Sequence, residues 1–144
     1  MVQKRLACCG VAFLLVAIGA GPGCKVRQPE ATPTAGLRID VARAAYDKRR
    51  QRLEVRLRIK NENDQPISFQ LDNVRLLYNG REVAAKPSST RDPAPAVQQG
   101  ASRDFRWFFE IGEAPGTGNY PVEIRDILKG DIALGETAIF SINA

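Results

Sequence analysis

From Arg52 to Lys60 the chain reads RLEVRLRIK, and apolar and polar positions alternate without a break. Leu53, Val55, Leu57 and Ile59 fall on one side, while Arg52, Glu54, Arg56, Arg58 and Lys60 fall on the other. A period of two belongs to a strand with one face buried and one face wet. LRIDVA at 37–42 alternates in the same way, with Leu37, Ile39 and Val41 inward. FRWFFEI at 105–111 turns Phe105, Trp107, Phe109 and Ile111 to one face, and Arg106, Phe108 and Glu110, with the preceding Asp104, to the other.

Shorter strand-like runs fill the intervals: ISFQL at 67–71, VRLLY at 74–78, REVAA at 81–85, YPVEIRDI at 120–127 and ETAIFSI at 136–142. Asn79-Gly80 lies between the second and third of these. The pair matches a two-residue type I′ hairpin turn, in which both central residues take positive φ. Lys129-Gly130-Asp131 separates the last two runs. No window sustains a helical period and no internal repeat is visible. About seven or eight antiparallel strands over 37–144 predict an all-β domain, an Ig-like antiparallel β-sandwich.

The pattern changes before residue 37. Lys4 and Arg5 precede an apolar run, which gives way to small residues at Gly19–Gly23 and then to Cys24. This is the layout of a secretory signal over 1–23. The apolar segment from Ala7 to Ala20 is too short for a bilayer-spanning helix, which needs roughly 20 residues. Gly21-Pro22-Gly23-Cys24 resembles the lipobox of bacterial lipoproteins, a resemblance that implies lipidation of Cys24 and a membrane anchor. Residues 24–36, polar and containing Pro and Thr, then read as a flexible linker. The expected location is outside the cytoplasm, on the cell membrane or the outer membrane.

Two further resemblances concern the domain itself. Residues 53–84, LEVRLRIKNENDQPISFQLDNVRLLYNGREVA, are similar to the Ig-like domains of secreted bacterial lipoproteins. They also resemble the water-stress domain of the late-embryogenesis-abundant type 2 proteins. Both imply a sandwich and neither implies an activity.

Composition narrows the chemistry. The 144 residues include no histidine, which takes away the side chain best suited to acid–base work near neutrality and the commonest metal ligand. No cysteine follows Cys24, so neither a zinc–thiolate site nor an intramolecular disulfide within 25–144 is expected. The formal net charge is +5; two of the 21 basic residues and none of the 16 acidic ones lie in 1–23, so the remainder carries +3. Asn61-Glu62-Asn63-Asp64-Gln65 gathers oxygen atoms that could attract calcium, but it lacks the spacing of an EF-hand loop and reads as a polar turn. Gly116-Thr117-Gly118 is followed by a strand-like segment instead of the helix that a phosphate cradle needs.

The remaining candidates lie on the outward faces of strands. Arg52, Arg56, Arg58 and Lys60 form a basic stripe that could receive an anionic group, interrupted by Glu54 and flanked by Asp40, Asp104 and Glu110 as cross-strand partners. Phe108 points outward, either as an exposed anchor for a partner or buried beneath the Pro- and Ser-rich loop at 87–99. The candidate partner-binding residues are therefore Arg56, Arg58, Arg106 and Phe108. The expectation is a membrane-tethered, non-catalytic binding or assembly module, without cofactor or metal, whose partner is an envelope protein or an anionic polymer and not nucleic acid. The competing expectation is a structural or stress-protective domain without a discrete ligand site.

Overall fold

The computed structural model describes residues 34–88 and 92–144. The expected signal segment, Cys24 and most of the linker lie outside the described residues. Among the described residues no helix is long and apolar enough to cross a membrane.

The long strands are those with the strongest alternation. β1 spans Leu37–Asp47, β2 Arg52–Asn61, β4 Val74–Tyr78, β5 Arg81–Ala84, β8 Ser102–Glu110, β9 Asn119–Ile124 and β12 Ala138–Asn143. Five two-residue strands complete the set: β3 (Ile67–Ser68), β6 (Lys86–Pro87), β7 (Ala96–Val97), β10 (Leu128–Lys129) and β11 (Ile132–Ala133). The one helical piece described is a 3-10 turn at Leu71–Asn73; the strand expected over 67–71 is regular only at Ile67–Ser68, and its last residue, Leu71, opens this turn. The strand count exceeds seven or eight because β6, β7, β10 and β11 pair segments outside the strand-like runs, whereas β3 is the start of the expected 67–71 strand.

Among the described residues all strand pairings are antiparallel, and they form three four-stranded sheets. The first has the order β1-β2-β8-β6, the second β12-β9-β4-β5, and the small third β11-β10-β3-β7. The architecture is all-β and is consistent with a β-sandwich. Leu53, Val55, Leu57 and Ile59 of β2 and Phe105, Trp107 and Phe109 of β8 are buried, as their alternation requires. The second sheet adds Val74, Leu76, Tyr78, Val122, Ile124, Ala138 and Ile142 to the same core. Phe69 packs edge-on to Trp107 at a centroid distance of 6.0 Å, and Phe105 lies 5.4 Å from Trp107. Each such aromatic pair adds ~1 kcal/mol beyond the area it buries.

Two turns show how local sequence sets the chain direction. Asn79 and Gly80 take φ of 47° and 77°, so the pair closes the β4–β5 hairpin with both central residues in the left-handed region, as the type I′ reading requires. Thr34–Gly36, counted with the linker on sequence grounds, is instead packed on the domain. Ala35 is buried, and the backbone amide of Ile139 donates to Thr34 Oγ1 at 3.1 Å. Asn63 Nδ2 donates to the carbonyl oxygens of Ala35 and Gly36 at 3.2 and 3.4 Å.

The polar turn after β2 is a structural device. Asn61 is fully buried, yet its Nδ2 donates to the carbonyls of Gln65 (2.8 Å) and Val97 (3.1 Å), and its Oδ1 accepts from the amide of Asn63 at 2.9 Å. A buried amide satisfied in this way specifies the path of the turn and ties it to β7. Asp64 forms an ion pair with Lys129 at 3.0 Å.

Candidate functional site

A strand bulge creates the outer face of the first sheet. Along β1 the register with β2 runs Leu37↔Asn61 to Val41↔Leu57 and then resumes at Arg43↔Arg56, leaving Ala42 unpaired. One extra residue reverses the parity of everything after it. Ala44 and Tyr46 consequently pack against the core, and Arg43 is turned to the outer face. Strict continuation of the Leu37, Ile39, Val41 alternation would have sent Arg43 inward, which is why the sequence pattern did not nominate it.

With that register, charged residues stand in rows across the strands. Asp40, Arg58 and Asp104 form one row. Arg43, Arg56 and Arg106 form the next. Ala45, Glu54 and Phe108 form the third, with Lys86 of β6 opposite Phe108. The basic stripe expected along β2 is thus crossed by a second positive line that runs perpendicular to it.

Ion pairs bind these rows together. Glu54 accepts two hydrogen bonds from Arg106, both 2.8 Å, and one from Arg56 at 2.9 Å. The Arg106 hydrogen bonds, opposed by partial burial and reinforced by Arg56, pull the Glu54 carboxyl down to about 2. Arg58 donates to both oxygens of Asp104, at 2.7 and 3.1 Å, which holds that carboxyl below its usual range. Arg43 is exposed and makes no ion pair with a described residue. The arginine row therefore has three guanidinium groups against the single carboxylate of Glu54.

An open groove of about 810 Å³ lies on this face, and its lining includes Arg56, Arg58 and Arg106 together with Asp40, Asp104 and Ser88. Three of the four residues nominated from sequence are thus brought to one surface. Phe108 is placed differently. Its side chain shares the outer side of β8 but is only 6% exposed. The Arg52 guanidinium sits 3.7 Å from its ring centroid and that of Arg106 lies at 5.3 Å. The expectation of an exposed aromatic anchor is corrected: Phe108 is covered by guanidinium groups, and Arg52 leaves the open stripe to cover it.

Comparison with known proteins adds the fold. No protein-family model matches the chain, and no curated protein sequence does. Among solved structures the chain is similar to a "putative lipoprotein (ycdA)" from Bacillus subtilis subsp. subtilis str. 168, with a TM-score of 0.57 and 12% sequence identity. The match covers 81% of this chain and 39% of the other. At that identity the likeness is one of fold, and the chain spans about two fifths of the length of that protein.

Proposed function

We propose that the protein is a membrane-tethered, non-catalytic binding module of the cell envelope, and that the outer face of the β1-β2-β8-β6 sheet is its ligand surface. The observation that carries this reading is the Arg43–Arg56–Arg106 row beside an open groove, with one carboxylate, Glu54, held by two of its three guanidinium groups. Guanidinium forks pair with carboxylate and phosphate oxygens, so such a row suits an anionic partner. Two features support the tether: the signal-like segment ending at Cys24, and the description of the similarly folded Bacillus protein as a lipoprotein. The lack of histidine in the sequence supports a binding role over acid–base chemistry near neutrality.

The structural or stress-protective reading draws on a different observation. Arg58 and Arg106 each already hold a carboxylate with two hydrogen bonds, as a self-contained face would. The two readings separate in a crosslinking pull-down from the membrane fraction. An Arg43→Glu, Arg56→Glu double variant of verified folding is compared with wild type. The binding module requires a discrete partner that is captured by wild type and lost in the variant. The same background from both would favour the structural role.

A further inference from the structure

The chemistry of the ligand follows from how the arginine row is framed, and this step rests on the binding-module reading above. Adjacent strands lie about 4.8 Å apart, so three arginines opposite one another on β1, β2 and β8 mark a line about 10 Å long. A single tetrahedral oxyanion is too small to engage both ends of that line. The rows on either side carry carboxylates: Asp40 and Asp104 on one, Glu54 on the other. An anion displaced along β2 meets the Asp40 and Asp104 carboxylates, whereas one extended across the strands follows the guanidinium groups and has Glu54 alone to displace. At the β8 end, Ser88 follows β6 and lines the same groove, offering a hydroxyl donor.

Glu54 occupies the oxygen positions that such a ligand would need. It engages Arg106 with both oxygens and Arg56 with one, so two of the three guanidinium groups are held in place by an internal carboxylate. Arg43, on the edge strand β1, is exposed.

We infer that the Arg43–Arg56–Arg106 row is a track for a linear phosphate polymer lying across the strands, and that Glu54 is the internal competitor the polymer displaces. Arg43 makes the first contact, because no described carboxylate has to leave it. Arg56 and Arg106 then exchange Glu54 for ligand oxygens. Arg58 stays with Asp104 and takes no part.

The test uses the full-length protein and a fluorescently labelled linear polyphosphate, read by anisotropy, with inorganic phosphate as competitor at equal phosphate concentration. The track predicts that wild type binds the polymer and that monomeric phosphate fails to displace it. Arg43→Ala weakens binding several-fold while keeping the wild-type melting curve, Lys129→Ala on the small third sheet, which removes one positive charge away from this face, leaves it close to wild type, and Glu54→Gln tightens it. Absence of polymer binding overturns the track, as does an equal loss in Arg43→Ala and Lys129→Ala, which would mean diffuse charge attraction. If polyphosphate fails to bind while wild type still captures an envelope partner that the double variant loses, the track falls and the binding module stands. If both fail, both fall.

Discussion

Arg43 of β1 and Arg56 of β2 stand directly opposite each other on the outer face of the sheet, a like-charge pairing that exists because Ala42 bulges out of the ladder between them. Like charges placed opposite each other in an antiparallel pair destabilise it. Arg106 extends the same row on β8, so the unfavourable contact is made twice. Glu54 offsets part of it from the neighbouring row. The repulsion left over falls on Arg43, which is why this residue stands at the centre of the functional reading.

The first prediction is a trade between stability and binding. Replacing Arg43 by Thr removes one like-charge contact and places a β-branched residue in the strand, which favours the sheet. Thermal unfolding followed by circular dichroism should show a melting temperature equal to or higher than wild type, by about 1–3 °C. Anion binding by the same variant should weaken. A clear drop in melting temperature would mean that Arg43 has a structural role.

A second prediction concerns pH. Glu54 has its folded pKa lowered from 4.5 to about 2, so between those values the unfolded chain binds more protons than the folded one. Stability from this group is complete above about 4.5 and is lost as pH falls toward about 2. Asp104, Glu82 and Asp64 are shifted in the same direction by Arg58, Arg125 and Lys129. Urea unfolding across this range should show wild type losing stability steadily, and Glu54→Gln losing less over the same interval. Parallel curves would contradict the assignment.

Asn61 supplies a third. Its side chain is fully buried with two donated bonds and one accepted, and Asn61→Ala leaves the carbonyls of Gln65 and Val97 and the amide of Asn63 without that partner. The expected loss is about 2–3 kcal/mol in denaturant unfolding. Asn61→Asp should be comparably damaging, because a carboxylate cannot donate to two carbonyls. A loss well below 1 kcal/mol would show that the turn is held by other means.

A fourth prediction sets two glycines against each other. Gly36 and Gly80 both have positive φ, 67° and 77°. A Cβ on Gly80 meets nothing within 4 Å, whereas one on Gly36 comes within 2.5 Å of Asn63 Oδ1. Gly80→Ala should therefore cost about 1 kcal/mol, the conformational penalty alone. Gly36→Ala should cost more, because Asn63 must also move and give up its bonds to Ala35 and Gly36. Equal costs would argue that the Thr34–Gly36 turn contributes little to the fold.

These predictions also mark what could be read from sequence. The alternation in β2 identified its buried residues, Leu53, Val55, Leu57 and Ile59, because an unbroken period of two leaves one solution for which side faces the core. Asn79-Gly80 announced its turn for an equally local reason, the positive φ at both residues. Of the two-residue strands, β3 falls within the expected 67–71 strand, and the other four were not legible, since a pair of residues carries no period. Arg43 was hidden by the bulge, which becomes visible only when β1 is paired with β2. Phe108 was correctly assigned to the outer side of β8, but its burial depends on Arg52 and Arg106 folding over the ring, a tertiary arrangement that no pattern along one strand contains.

The most direct test of the central claim places a photo-crosslinking residue at two positions of the full-length protein in envelope membranes. One is Ala45, which sits opposite Glu54 on the proposed ligand face; the other is Ser141, on β12 of the second sheet. The binding module predicts a discrete adduct, resolved by mass, from position 45 that is lost when Arg43 and Arg56 are replaced by Glu, and no such adduct from position 141. Equal adducts from both positions, or none from position 45, would contradict a ligand surface on the first sheet.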